Sequence, residues 1–442
     1  MARAVLIDLK SEGAAPWETW TPESVTRILE KVRKASNGQE DPLVFLLCCQ
    51  NLPSKRNGED APLHAAARGL HCPERGLEVV CAPSTVAAFY AVKQKLDEKD
   101  IGRVQVLSLP QRRAIVRAFV DRLFTSVYQF EFEDLQGNSE ARSLKRSTGS
   151  PSELLPPLTA QELGKIQREI KIYLEGLPNL KGELRILRSA LIPDHIFLHG
   201  FTTRTGGISY VPTLSSFNLF SSAKRRDPPV VVQENLRRLA EAAGFDPQAY
   251  HTIKVNHASD VWVMGKALPD SYDGIVTNQK GVVVAAPGAD CIPVIFADPV
   301  KKACGAAHSG WQGTLSGVSM ATVRAMVAEY GCHVEDILVV LGPSVGPCCF
   351  TLPHEQAKEF HRIDPKCVRH LESSKPSVDI RRATRVLLEA GGILPQNVQD
   401  DSVTDPTQNL TLCTSCHPDQ FYSHVRDGEN FGTQIGFISI KD

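Results

Sequence analysis

Apolar runs and amphipathic stretches alternate through the first third of the chain. Val44 to Cys49 and Leu77 to Cys81 read as buried strands. Pro83-Ser84 opens a helix through Leu96, Val104 to Leu109 is a further strand, and Gln111 to Tyr128 is an amphipathic helix. This β-α-β-α rhythm predicts an open α/β sheet. No G-x-G-x-x-G follows any of these strands and no G-x-x-x-x-G-K-[ST] occurs, so the region shows no phosphate-cradling loop. No catalytic constellation is visible in it.

The pattern then breaks. Residues 136–158 are rich in Gly, Ser, Arg and Pro, cannot bury much surface and read as a flexible linker. Thr159 and Glu162 form a capping-box pattern that starts a helix running to about Gly176. Beyond it, Val230 to Ala243 is helical, with Gly244 as its stop. Strand-like runs follow at Val282 to Ala286, Ile292 to Ala297 and Ala303 to Ala307. A helix is predicted over Gly313 to Tyr330, a strand over Ile337 to Leu341, and period-two alternation around Ile435 to Ile440. The expected architecture is α/β with mixed sheets: an N-terminal domain over 1–135, a linker over 136–158, a connecting helix over 159–185 and a catalytic domain over 186–442.

Composition narrows the class. With 442 residues the chain is too long for one core. Its net charge of −1 gives no global field for nucleic acid or an anionic membrane, and neither is expected as a partner. The N-terminal apolar run is interrupted by Asp8 and Lys10, so no signal peptide is expected, and no apolar run reaches membrane-spanning length. The 12 cysteines include the adjacent pairs Cys48-Cys49 and Cys348-Cys349, which fits buried free thiols in a reducing, cytoplasmic setting.

The sharpest chemistry lies in three residues, His257, Cys291 and His308. Two imidazoles and a thiolate suit zinc, and three ligands leave a position open for water or substrate, as in catalytic sites. Their wide spacing leaves the alternative of isolated core and loop residues open. Asp290, the nearest carboxylate in sequence, is the candidate general acid/base, although neighbouring strand residues face opposite ways unless a turn re-aims them. The helix start at Gly313-Thr314 offers free N–H groups for an anion. Arg204, Asn218, Gln312 and Arg426 are candidate substrate or phosphate contacts, with ordinary turn roles as the alternative for the two arginines. Cys413-Thr-Ser-Cys416-His417 has the spacing of a haem attachment site, which the absence of an export signal argues against. As half of a structural zinc site it has no visible partner pair, so loop cysteines are expected there.

Five ordered strings, His199-Gly-Phe-Thr-Thr-Arg204, Gly288-Ala-Asp-Cys-Ile-Pro293, His308-Ser-Gly-Trp-Gln-Gly313, Leu341 to Cys349 and Phe421 to Gly428, together resemble the multicopper polyphenol oxidoreductases, also called laccase-domain or purine nucleoside phosphorylase-like proteins. The resemblance runs from about His195 to the C-terminus and implies a laccase-domain-like α/β fold. It implies a zinc-dependent enzyme acting on purine nucleosides: adenosine deamination, and phosphorolysis of adenosine, inosine, guanosine and methylthioadenosine with phosphate as co-substrate. The family's metal ligands fall on His257, Cys291 and His308. Two departures stand out. Ser309 and Gln312 replace the family's usual alanine and cation, and the stretch ending in Arg426-Asp427-Gly428 has one arginine fewer than usual. Phosphorolysis is therefore expected to be weaker than deamination, or the anion to be held by Arg204 and Arg426. The copper in the family's name finds no support: a four-copper oxidase needs His-x-His pairs, and the 13 histidines include none. A non-catalytic metabolic scaffold, with a homodimer or a protein partner engaged through the N-terminal domain, is the reading from another class.

Overall fold

The computed structural model describes residues 3–9, 22–35, 42–49, 76–135, 157–400 and 412–441. The expected linker lies outside the described residues except for its last two positions. The chain forms two compact units, Met1–Leu177 with Ser222–Val230, and Pro178–Ser221 with Val231–Asp442.

In the first unit the elements are β1 (Arg3–Asp8), α1 (Pro22–Ala35), β2 (Leu43–Cys49), β3 (Leu77–Ala82), α2 (Thr85–Glu98), β4 (Arg103–Ser108), α3 (Arg113–Leu123), β5 (Gln129–Asp134) and α4 (Ala160–Glu175). The strands form one sheet, ordered β3-β2-β1-β4-β5 and parallel throughout. This is the open α/β sheet that the alternation predicts, and burial of the inner strands β1 and β2 on both faces explains their near-continuous apolar runs. Two details differ from the sequence reading. The helix from Gln111 stops at Leu123 because Phe124 is already extended. Phe130 and Phe132 then alternate with acidic residues along β5, a period of two that belongs to a strand. Where the strand order reverses, between β1 and β4, the Asp8 carboxylate accepts from Arg112 Nε at 2.8 Å. α4 has both hydrogen bonds of the capping box, and its stripe of Ile166, Ile170 and Leu174 is buried. Rather than merely connecting, it packs within the first unit, with Tyr173 edge-on to Tyr90 at 5.5 Å.

The second unit holds β6 (Ile186–Leu187), β7 (Phe197–Thr202), α5 (Pro229–Ala243), β8 (Tyr250–Thr252), β9 (Val261–Val263), β10 (Gly274–Thr277), β11 (Val283–Gly288), β12 (Ile292–Asp298), β13 (Ala303–Ser309), α6 (Trp311–Leu315), α7 (Val318–Tyr330), β14 (Leu338–Leu341), α8 (His354–Ile363), β15 (Val368–Arg369), β16 (Ser377–Val378), α9 (Ile380–Ala390), β17 (Val398–Gln399), α10 (His424–Asp427) and β18 (Gln434–Ile440). Two mixed sheets, β17-β14-β12-β13-β10-β9 and β6-β7-β18-β11-β8, face each other. Ile275, Ile295, Ala306 and Val340 of the first meet Phe197, Phe201, Val284 and Ile438 of the second. The opposite face of β12, Ile292, Val294 and Phe296, packs with Val323 and Met326 of α7. Burial on both faces therefore fixes the β12–β13 hairpin, which carries the site. The helix predicted over Gly313 to Tyr330 is two helices. Gly317 takes a left-handed φ of +76°, which ends α6 and starts α7.

Candidate metal centre

His257, Cys291 and His308 converge: their ligand atoms all lie within 4.8 Å of one another. Each arrives by a different route. His308 sits in β13, where the antiparallel register with β10 pairs Ala307 with Gly274 and so places Asp273 beside it. The His308 N–H donates to the Asp273 carbonyl at 2.8 Å, and His308 Nδ1 meets Asp273 Oδ1 at 2.8 Å. That bond leaves Nε2 as the ligand atom. Cys291 occupies the turn before β12. The same hairpin pairs Ile292 with Ser309, which sets Gly310 opposite the thiol. A Cβ at Gly310 would stand only 2.9 Å from Cys291 Sγ and 3.6 Å from His257 Nδ1, so the glycine supplies the room in which the three side chains meet. His257 lies in a loop at a left-handed φ of +62°. The N–H groups flanking it, of Asn256 and Ala258, donate to Asp273 Oδ2 at 3.0 and 3.1 Å.

Asp273, wholly buried, thus orients one ligand directly and a second through its loop. Sequence reasoning missed it. Its signal was a carboxylate directly before the buried run Gly274–Thr277, where only a partnered charge is tolerated. Burial opposes its charge, but His308 and the two N–H groups hold its pKa below the usual range. Burial likewise works against a proton on His308, yet the Cys291 sulfur and Asp273 outweigh it and raise the pKa to about 9. His257 is shifted down, by burial and then by the neighbouring His308. A metal entering this site displaces protons from the ligands it binds. Exposure falls from His257, open to solvent, through Cys291 to His308, so access is from the His257 side.

Of the other nominated residues, Asp290, Arg204, Arg426 and Asn218 have partners in the chain itself. Asp290, at a φ of +94°, is re-aimed by the turn: its Oδ1 accepts from Thr414 Oγ1 at 2.6 Å and its Oδ2 from the Val425 N–H at 2.6 Å. Both oxygens hold the turn that presents Cys291. Arg204 donates from Nε to the Ser215 carbonyl at 2.8 Å and from its two terminal nitrogens to Pro418 and Pro212 carbonyls at 2.7 and 2.9 Å. Its guanidinium also stacks 4.8 Å from the Tyr422 ring centre. Arg426 is bidentate to Asp427 at 2.8 and 2.7 Å and donates to the Thr414 carbonyl at 2.9 Å, the local ion pair of a turn. Asn218 braces Phe220 and the Thr433 N–H. Gln312 is exposed in α6. The helix N-terminus expected at Gly313-Thr314 lies two residues earlier: α6 starts at Trp311, and the Thr314 N–H already donates to the Gly310 carbonyl at 2.8 Å.

Residues 198–441 match the family model described as multi-copper polyphenol oxidoreductase laccase. The chain belongs to that family. It is 56% identical over its full length, and over the full length of the relatives, to the proteins of Homo sapiens and Mus musculus each named purine nucleoside phosphorylase LACC1. It is also 28% identical, over 40% of its length and 65% of the relative's, to a protein of an unknown prokaryotic organism named adenosine deaminase RL5. The three candidate ligands, His257, Cys291 and His308, fall inside the matched region. Names shared across the family mark the chain as an enzyme of a purine nucleoside phosphorylase-like group. Among the described residues no helix is long and apolar enough to cross a membrane.

Proposed function

We propose that the chain is a zinc-dependent purine nucleoside enzyme, which phosphorolyses adenosine, inosine, guanosine and methylthioadenosine and deaminates adenosine. The observation that carries this reading is the convergence of His257, Cys291 and His308, with one ligand open to solvent, inside the matched region. Two imidazoles and one thiolate fit zinc, and a three-residue donor set is that of catalytic rather than structural sites. When bound there, zinc would supply a Lewis acid able to activate water or polarise a substrate oxygen. The chain's own residues do the rest. Asp273 fixes the His308 tautomer and ring plane and braces the loop of His257. Asp290 holds the Cys291 turn at both carboxylate oxygens. Gly310 keeps the space between the ligands clear. The names of the relatives support both activities, phosphorolysis through the two full-length proteins and deamination through RL5.

The test incubates the zinc-loaded protein with each nucleoside, with and without phosphate, and follows ammonia and the sugar 1-phosphate, which is ribose 1-phosphate or, from methylthioadenosine, 5-methylthioribose 1-phosphate. Wild type should give the sugar 1-phosphate only with phosphate, and ammonia from adenosine without it. Cys291→Ala should lose both products together with the zinc of this site. Unchanged turnover in that variant would sink the zinc reading, and no sugar 1-phosphate from any nucleoside would remove the phosphorylase half.

A further inference from the structure

A second set of soft ligands lies outside the candidate active centre. The sulfurs of Cys348, Cys349, Cys413 and Cys416 all lie within 4.8 Å of one another. The C-x-x-C lacked a partner pair in the sequence; the adjacent cysteines after β14 are that pair. Neighbours in a strand would point apart, but here the chain makes a helical turn, with the Cys349 and Phe350 N–H groups both donating to the Gly346 carbonyl at 3.0 and 3.1 Å. Both thiols therefore come to one side. The second pair lies in another turn, and a bridge between Ser344 and Cys413 laces the two loops together.

We propose that these four cysteines form a second, structural zinc site. Four thiolates with no other donor make a closed tetrahedral shell, the pattern of structural zinc. With zinc–sulfur bonds of about 2.3 Å, the sulfurs of such a tetrahedron stand about 3.8 Å apart. Cys416 Sγ lies 3.3 Å from Cys349 Sγ and 3.6 Å from Cys348 Sγ, within a few tenths of an ångström of that spacing. The Gly346 N–H donates to Cys413 Sγ at 3.3 Å, which stabilises a thiolate there. A disulfide is the rival arrangement, but its bond is about 2.05 Å long, and the separations of 3.3 and 3.6 Å from Cys416 Sγ are those of free thiols. The site is placed to matter. Thr414, inside the C-x-x-C, donates to Asp290, and the Val345 N–H donates to the Asp290 carbonyl at 3.0 Å. Cross-linking the two loops clamps the turn that presents Cys291.

The experiment measures metal content of the full chain, purified under reducing conditions, by mass spectrometry and zinc-edge X-ray absorption. Wild type should carry two zinc ions. Cys291→Ala should keep one, with an all-sulfur shell. Cys413→Ser/Cys416→Ser should keep one, with a mixed nitrogen and sulfur shell, and should melt earlier. If that variant does not fold, cobalt loaded into Cys291→Ala decides instead, through the intense visible bands of a tetrahedral tetrathiolate. No metal in Cys291→Ala, iron in place of zinc, or a disulfide among these four cysteines in the reduced protein would each overturn the proposal. Because the all-sulfur shell is read in a variant lacking the first centre, its presence is independent of whether that centre is catalytic.

Discussion

The two soft-ligand centres of the second unit are opposite solutions built from the same residue types. The first has three donors of mixed kind, and one of them, His257, is exposed. The second has four sulfurs from two short turns and fills its own shell. An incomplete shell is held in shape by its neighbours: Asp273 orients His308, Gly310 clears the centre, and Asp290 sets the turn of Cys291. A complete shell needs few such neighbours because the metal itself is the cross-link. The contrast teaches where reactivity and rigidity reside. It can be broken by changing neighbours of the first centre while leaving every ligand in place.

The largest effect is expected at Asp273. Asp273→Asn keeps the shape but removes the charge that supports His308. It also puts amide N–H groups among the N–H donors at Asn256 and Ala258. Losing a partner behind a metal ligand costs about 10–100-fold in affinity or activity. Zinc competition with a chelator should show that loss at the three-residue centre, with the tetrathiolate ion retained. Equal loss at both centres would mean that Asp273 acts on folding as a whole.

A smaller effect is expected at Gly310. A methyl group there must stand 2.9 Å from Cys291 Sγ unless something moves, and the β12–β13 pairing leaves the hairpin little freedom to give way. Overpacking of this kind costs about 1–3 kcal/mol. Gly310→Ala should weaken zinc at the first centre by roughly tenfold, since about 1.4 kcal/mol is one decade. Its all-sulfur neighbour should keep its X-ray absorption signature. Unchanged affinity would show that the thiol swings aside freely and that the glycine is not a packing requirement.

Much of this architecture was legible because burial writes a period into sequence. The parallel sheet of the first unit was readable from runs such as Val44 to Cys49, and the β12–β13 hairpin from Ile292 to Ala307. The three ligands were readable as residue types, yet their meeting depends on register across β10, β12 and β13, which no linear spacing encodes. Asp273 was hidden for the same reason: it stands 35 residues from His308 in sequence and beside it across the sheet. The four cysteines were visible, but their union turns on one helical turn at Gly346 to Phe350 that brings adjacent thiols to one side. Arg204 and Arg426 were visible in the sequence, but their intrachain partners were not. A guanidinium in a Gly-rich segment suits an anion, but it equally suits the main-chain carbonyls left unpaired by irregular loops, and here those carbonyls hold it.

The smallest effect is expected where the two centres touch. Thr414 lies between Cys413 and Cys416 and donates its hydroxyl to Asp290, one residue before Cys291. Asp290 holds a φ of +94°, a conformation that costs of order 1–3 kcal/mol for a residue with a side chain and persists only where its surroundings enforce it. Thr414→Val keeps the volume and removes the hydroxyl. The Thr414 N–H still donates to the Ser344 carbonyl at 3.1 Å, so the loops stay laced and the tetrathiolate should keep its metal. The Val425 N–H still reaches the carboxylate, so the turn should loosen rather than collapse. A hydrogen bond to a charged group contributes about 1.5–3 kcal/mol, and most of that loss should appear as a lower melting temperature. Only part is transmitted to Cys291, and zinc at the first centre should weaken a few-fold. A drop in melting temperature with unaltered zinc affinity would separate the two centres and leave the clamp as a device of folding alone. A few-fold loss of affinity with the tetrathiolate ion intact would make Thr414 the link through which the closed centre steadies the open one.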